Sequence, residues 1–181
     1  QAKRKERSTQ QPVGHDFTVR RVDCNARTMS ARVIDGPNGL KEVVGEHLGY
    51  SDWVEITQDR VNQFAEATGD FQWIHVDPER AKKESPFGGP IAHGYLTLSL
   101  APVMMPMVVQ STGFKMGVNY GCNKVRFMSP VPVGSNLRLG VRLLAVDDIA
   151  GGVQSTYELT FECEGAAKPS CVAEVIYRSY E

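Results

Sequence analysis

The sequence predicts an α+β domain in which an antiparallel five-stranded sheet wraps around a central helix. Three observations carry this. After Gln110 the hydrophobic pattern changes period, giving four strand-like runs separated by turns rich in glycine and proline. Residues 91–109 are the most apolar stretch and have the length of a buried helix. Ahead of that stretch, helix start and stop residues mark out shorter helices.

Taken in order, residues 1–32 stand apart. Eight Lys/Arg against three Asp/Glu give them an excess of five positive charges, and apolar residues are sparse. They read as a basic, disordered tail or a processed leader, with a short strand at residues 19–22 at most. Because Gln1 is not a methionine, an upstream piece is expected to have been removed or left out. Residues 33–181 are expected to form one domain, with ordered structure from about Gly39. Residues 40–48 predict a short helix ended by Gly49, and residues 53–56, with Trp53 and Val54 as bulk, a strand. Thr57 is a good N-cap, and Val61, Phe64, Ala65 and Thr68 follow at the spacing of one helix face, with Gly69 as its stop. Asp77-Pro78 repeats the start signal for a short helix through Glu84.

Residues 85–90 form a Gly/Pro loop, and the apolar helix begins at His93-Gly94. Pro102 must kink or end that helix, since proline lacks the N–H donor and clashes with the preceding turn. The strands follow at 118–127, 136–146, 152–163 and 170–180, separated by 130–134, 147–152 and 165–169. Together with residues 53–56 they make the five-stranded sheet, and the apolar helix covers one face.

Composition excludes several classes. Of 181 residues, 41% are hydrophobic and 23% charged, as in an ordinary soluble domain. Twenty basic and 21 acidic residues leave a net charge of −1, without the basic excess of a nucleic-acid binder. His93, Thr97, Ser99, Pro102 and Pro106 interrupt residues 91–109, which argues for a core helix over a membrane span. Cys24, Cys122, Cys163 and Cys171 form no Cys-x-x-Cys pair, so reduced thiols in a cytoplasm are expected.

The window that carries chemistry runs Ala67-Thr68-Gly69-Asp70-Phe71-Gln72-Trp73-Ile74-His75-Val76-Asp77-Pro78, followed by Phe87-Gly88-Gly89-Pro90-Ile91-Ala92-His93-Gly94-Tyr95. It resembles the MaoC-like family of (R)-specific enoyl-CoA hydratases and its nodulation-protein-N-like relatives. Gly69, Asp70, Ile74 and His75 match the family motif, as do Ala92, His93 and Gly94. The motif's Asn-Pro pair reads Gln72-Trp73 here, which puts in doubt any water contact carried over to Gln72. The resemblance implies a hot-dog fold, a homodimer, an acyl-CoA thioester substrate and an R product, with no cofactor and no metal.

Adding water across a 2-enoyl thioester needs a base for water, an acid for C2 and a donor for the enolate-like oxygen. Asp70 and His75 stand between two helix signals, where side chains can turn onto a ligand. Either can be the base. Gly94 opens the apolar helix, where free N–H groups and the positive dipole end converge, and the family uses the matching glycine as oxyanion donor. Candidate substrate contacts are Gln72, Trp73, His93, Lys124 and Arg126.

Each has a plainer role beside it. His75 can be a core histidine bonded to a carbonyl. His93 is better read as fixing the helix start, and Asp77 as a cap. Lys124 and Arg126 share a strand face, which can meet coenzyme A phosphates or stay solvated. Tyr95, Leu96, Leu98, Leu100 and the methionines at 104, 105 and 107 are core before they are acyl tunnel. Asp70, His75 and His93 lack zinc-site spacing. The rivals are an acyl-carrier-protein dehydratase, a hot-dog thioesterase and a non-catalytic acyl-binding module.

Overall fold

Local capping chemistry sets the first half of the chain. The computed structural model describes residues 31–181. It begins with β1 (Arg32–Asp35), α1 (Gly36–Glu42), β2 (His47–Tyr50) and β3 (Val54–Glu55). The tail reading, including the short strand at 19–22, lies outside the described residues except at Ala31 and Arg32. Arg32 belongs to β1 and pairs with Glu46 at 2.6 Å, so regular structure starts ahead of both Val33 and Gly39. Helix α2 (Gln58–Thr68) is capped by Thr57, whose Oγ1 accepts the Arg60 N–H at 3.2 Å. Gly69 closes it in the left-handed region at φ 78°, which a Cβ would disfavour. Helices α3 (Trp73–Val76) and α4 (Pro78–Glu84) follow, α4 started by Pro78 and by the Asp77 carboxylate on the Arg80 N–H at 3.0 Å.

The apolar stretch is two helices, α5 (Gly94–Ser99) and α6 (Ala101–Val108), divided at Leu100 as Pro102 requires. Strands β4 (Val109–Thr112), β5 (Met116–Phe127), β6 (Asn136–Ile149), β7 (Gly152–Cys163) and β8 (Cys171–Tyr180) complete the chain. The main sheet runs β2-β6-β7-β8-β5, with β3 also on β6, and its ladders are antiparallel. A small parallel ladder joins β1 to β4. Leu96, Leu100, Ala101 and Met104 from the helices share one buried cluster with Leu139, Val141, Leu159, Phe161 and Ala173 from the sheet. Among the described residues no helix is long and apolar enough to cross a membrane.

Two expectations need correction. Among the described residues the sheet holds six strands rather than five, because residues 47–50 pair with β6 instead of continuing a helix from Leu40. That helix starts earlier and ends at Glu42. The reason is tertiary: Gly140 lacks a Cβ where the Tyr50 ring lies, 2.9 Å from the place such an atom would take. A strand that short has no period of its own to read. The turn expected at 147–152 is also shorter, since β6 continues to Ile149.

Candidate active site

Gly69 turns the chain out of α2, and Asp70 follows in a segment without regular structure. The Asp70 carboxylate accepts the Gln72 N–H at 3.3 Å, a short local turn that starts the approach to α3. One turn of α3 then delivers His75, only 6% exposed, with its ring turned inward. The loop after α4 returns as Ile91-Ala92-His93, and the Ile91 carbonyl meets His75 Nδ1 at 2.6 Å. A carbonyl only accepts, so Nδ1 carries the proton and Nε2 is left with its lone pair. The His75 main-chain carbonyl is held by Gln58 Nε2 at 2.7 Å.

His93, 3% exposed, caps α5 and lies face to face with His75, ring centroids 3.9 Å apart and 30° between planes. Its Nε2–H donates to the Asp70 main-chain carbonyl at 3.0 Å and stands 4.0 Å from the Asp70 carboxylate. The two acid–base candidates are unequal: the Asp70 side chain is 54% exposed, whereas His75 is almost closed off. Burial pushes the His75 imidazole below its ordinary value, the bond to Ile91 and the Asp70 charge oppose that, and His93 adds to it. At neutral pH His75 is therefore an uncharged ring with one accepting nitrogen.

Two cavities flank this group. One of about 270 Å³ is lined by Phe64, Thr68, Asp70, His75, His93, Gly94 and Tyr95. The other, about 330 Å³, reaches from His75 and Gly94 past Thr97 and Phe127 to Val131 and Ser170. His75 and Gly94 line both. Gly94 is the first residue of α5, where N–H groups have no partner within the helix. The space a Cβ would fill at Gly94 is taken by the Phe127 ring, 3.0 Å from that position, so this glycine admits Phe127 on its Cβ side.

The structure thus brings together Asp70, His75, His93 and Gly94 and leaves the other candidates outside. Gln72 is exposed and lines neither cavity, and Trp73 lies under the Arg80 guanidinium, 4.3 Å from its ring centre. Lys124 and Arg126 are exposed on β5 and line neither cavity either. Between and after them, Val125 meets the core and Phe127 meets Gly94, so the two cations stand on the opposite face of the strand. Asp70, His75 and His93 offer donor atoms within 4.8 Å of one another. An ion bound by both rings at about 2.0–2.1 Å would have to lie close to both ring planes, which stacked imidazoles 3.9 Å apart with 30° between planes do not readily allow. Gln58, Ile91, Thr97 and Phe127 were not singled out by the sequence: nothing local marks a glutamine 17 residues before the histidine it supports.

Residues 40–162 match the family model described as MaoC like domain, a span that includes Asp70, His75, His93 and Gly94. The chain belongs to the MaoC-like dehydratase family. This MaoC-like chain is 53% identical over 148 residues to 3-hydroxyacyl-thioester dehydratase Z of Mycobacterium tuberculosis, covering 81% of this chain and 97% of that protein. It is 47% identical to nodulation protein N of Rhizobium leguminosarum bv. viciae, covering 74% and 84%. In fold it is similar to an unliganded R-hydratase from Pseudomonas aeruginosa, with a TM-score of 0.61, 22% identity and coverage of 76% and 82%. The sheet and its buried helices form a hot-dog fold.

Proposed function

We propose that this MaoC-like chain hydrates a trans-2-enoyl-CoA reversibly to an (R)-3-hydroxyacyl-CoA. The observation that carries the reading is the fixed form of His75. With Nδ1–H committed to Ile91, its bare Nε2 is the ring's accepting nitrogen, and His75 shares a cavity wall with Asp70, donor atoms of the two lying within 4.8 Å. A water held by this pair adds its oxygen to C3. Its proton passes through the pair to C2, so one water supplies both new bonds. The Gly94 N–H receives the charge that develops on the thioester oxygen, a contribution of about 10²–10³ in rate for one such donor. The name of the mycobacterial relative supports a 3-hydroxyacyl thioester as the product class. The exposed edge strand β5, with Met116, Val118 and Tyr120 uncovered, supports a homodimer. Free thiols at Cys122, Cys163 and Cys171 suit a reducing cytoplasm.

Absorbance at the enoyl-thioester band with crotonyl-CoA tests the reaction. The band should decay without release of free thiol, and thiol release would mean hydrolysis instead. Coupling the product to an S-specific dehydrogenase should give no signal. Asp70→Asn and His75→Gln should each lower kcat about 10²–10⁴-fold. The double change should cost little more than the worse single one, because groups acting as a unit are strongly non-additive. Near-normal turnover in both single variants would remove Asp70 and His75 from the acid–base role, and an enoyl band that does not decay with the wild type would leave a binding module in place of an enzyme.

A further inference from the structure

Asp70 and His75 face a difficulty that their sequence positions create. Asp70 lies in no helix or strand, so no ladder fixes its main chain, and more than half of its side chain is in solvent. His75 is rigid by contrast, held through Ile91 at its ring and Gln58 at its carbonyl. Something must tie the loose member to the fixed one if a single water is to meet both. His93 touches the two. Its Nε2–H donates to the Asp70 carbonyl, and the face of its ring lies against the face of His75.

We infer that His93 is a positioning residue, whose imidazole clamps the Asp70 main chain to the ring of His75 and so sets the spacing of the pair. It rests on the hydration reading given above. A ring present only to fill space would be better served by phenylalanine. The Nδ1 of His93 is buried without a hydrogen-bond partner among the described residues, a desolvation cost that an apolar ring avoids. The helix α5 supplies the anchorage: His93 is its N-cap, Phe64 from α2 supports the other ring contact at 5.1 Å, and Thr97 N–H bonds back to the His93 carbonyl. The titratable groups lining the cavity on this side are Asp70, His75, His93 itself and Tyr95.

Two substitutions separate the clamp from the stack. His93→Phe keeps a ring against His75 and removes the donor to Asp70. His93→Gln keeps an amide donor within reach of the Asp70 carbonyl and removes the ring. In His93→Phe, kcat on crotonyl-CoA should fall about 10–100-fold with KM nearly unchanged, the scale expected for misplacing a reacting group by about an ångström. His93→Gln should recover a large part of that loss. The acid limb of the rate profile should move toward higher pH in both, since the neighbour that disfavours the His75 cation has gone. Equal, wild-type kcat in both variants overturns the inference, as does a loss in His93→Gln as deep as in His93→Phe. Should His93→Phe fail to fold, the imidazole signals of His75 titrated in His93→Gln decide it: an unmoved midpoint overturns the contact. If Asp70→Asn and His75→Gln abolish turnover while the His93 variants do not, only this inference fails, and the hydration reading stands.

Discussion

Strands β7 and β5 are each twelve residues long and carry the same signal in opposite surroundings. In β7, Val153, Ser155, Tyr157, Leu159, Phe161 and Cys163 alternate with polar residues, and all six are buried. In β5, Met116, Val118, Tyr120 and Cys122 alternate just as regularly, yet all are exposed, with Met116 and Tyr120 each 54% accessible. The difference is position in the sheet. Among the described residues, β7 lies between β6 and β8, whereas β5 pairs with β8 alone and leaves its other edge open. A period of two reveals which residues share a face, but only the neighbouring strands and helices decide whether that face is covered.

The largest effect that would break this comparison lies in β7. Phe161→Ala removes a fully buried ring from the centre of the cluster and should cost about 3–5 kcal/mol, read as a shift in urea midpoint. A loss under about 1 kcal/mol would mean that the interior collapses around the gap. Tyr120→Glu is the matching change in β5. There the stability should move by no more than about 0.5 kcal/mol, because the ring is half exposed and Arg178, stacked on it at 3.4 Å, can pair with the new carboxylate. Sedimentation should instead show the proposed homodimer weakened. An unchanged assembly would show that the open edge is covered by something other than a second copy.

The same contrast explains what was legible in the chain. Helix α2 could be read because its signals are local: Thr57 at one end, Gly69 at the other and Val61 with Ala65 inside. The break at Leu100 was legible through Pro102, and β7 through alternation alone. Strand β2 was not, because four residues show no period of their own and become a strand by pairing with β6, where Gly140 leaves room for the Tyr50 ring. In the site, Asp70, His75 and Gly94 stood out by motif. The stack of His75 on His93 did not, since it joins residues 18 apart through a returning loop. Alternation likewise placed Lys124 and Arg126 on one face without saying which way that face looks. Trp73 was hard to place for a related reason, because its cover is Arg80 from the next helix.

A smaller effect tests the place where β5 meets the site. Gly94→Ala puts a methyl 3.0 Å from the Phe127 ring, a contact too tight by a few tenths of an ångström. Phe127 is 45% exposed and can yield, so the cost in stability should stay near 1 kcal/mol. The catalytic cost should be about tenfold in kcat/KM, below the hundredfold of a full ångström. Phe127→Leu in the same chain should return part of it, and the non-additivity of the pair measures their contact. Strict additivity would show that the ring does not take the strain.

The smallest effect belongs to His75, where rigidity of the β7 kind reaches into the site. Burial lowers the proton affinity of the folded imidazole below its ordinary value of 6.5, so the unfolded chain binds that proton more readily. Stability from this group is then fully present above pH 6.5 and is lost as pH falls from there through the lower folded value. Catalysis follows the same direction, because the accepting Nε2 must be bare. The acid limb of kcat/KM should fall at a pH below the ordinary histidine value. Urea midpoints of wild type and His75→Gln, compared from about pH 8 downward, should run parallel until about pH 6.5 and diverge below it, with the wild type losing more. An acid limb above that value would mean that His75 is held as a cation in the free enzyme, and the direction of proton transfer in the pair would have to be reversed.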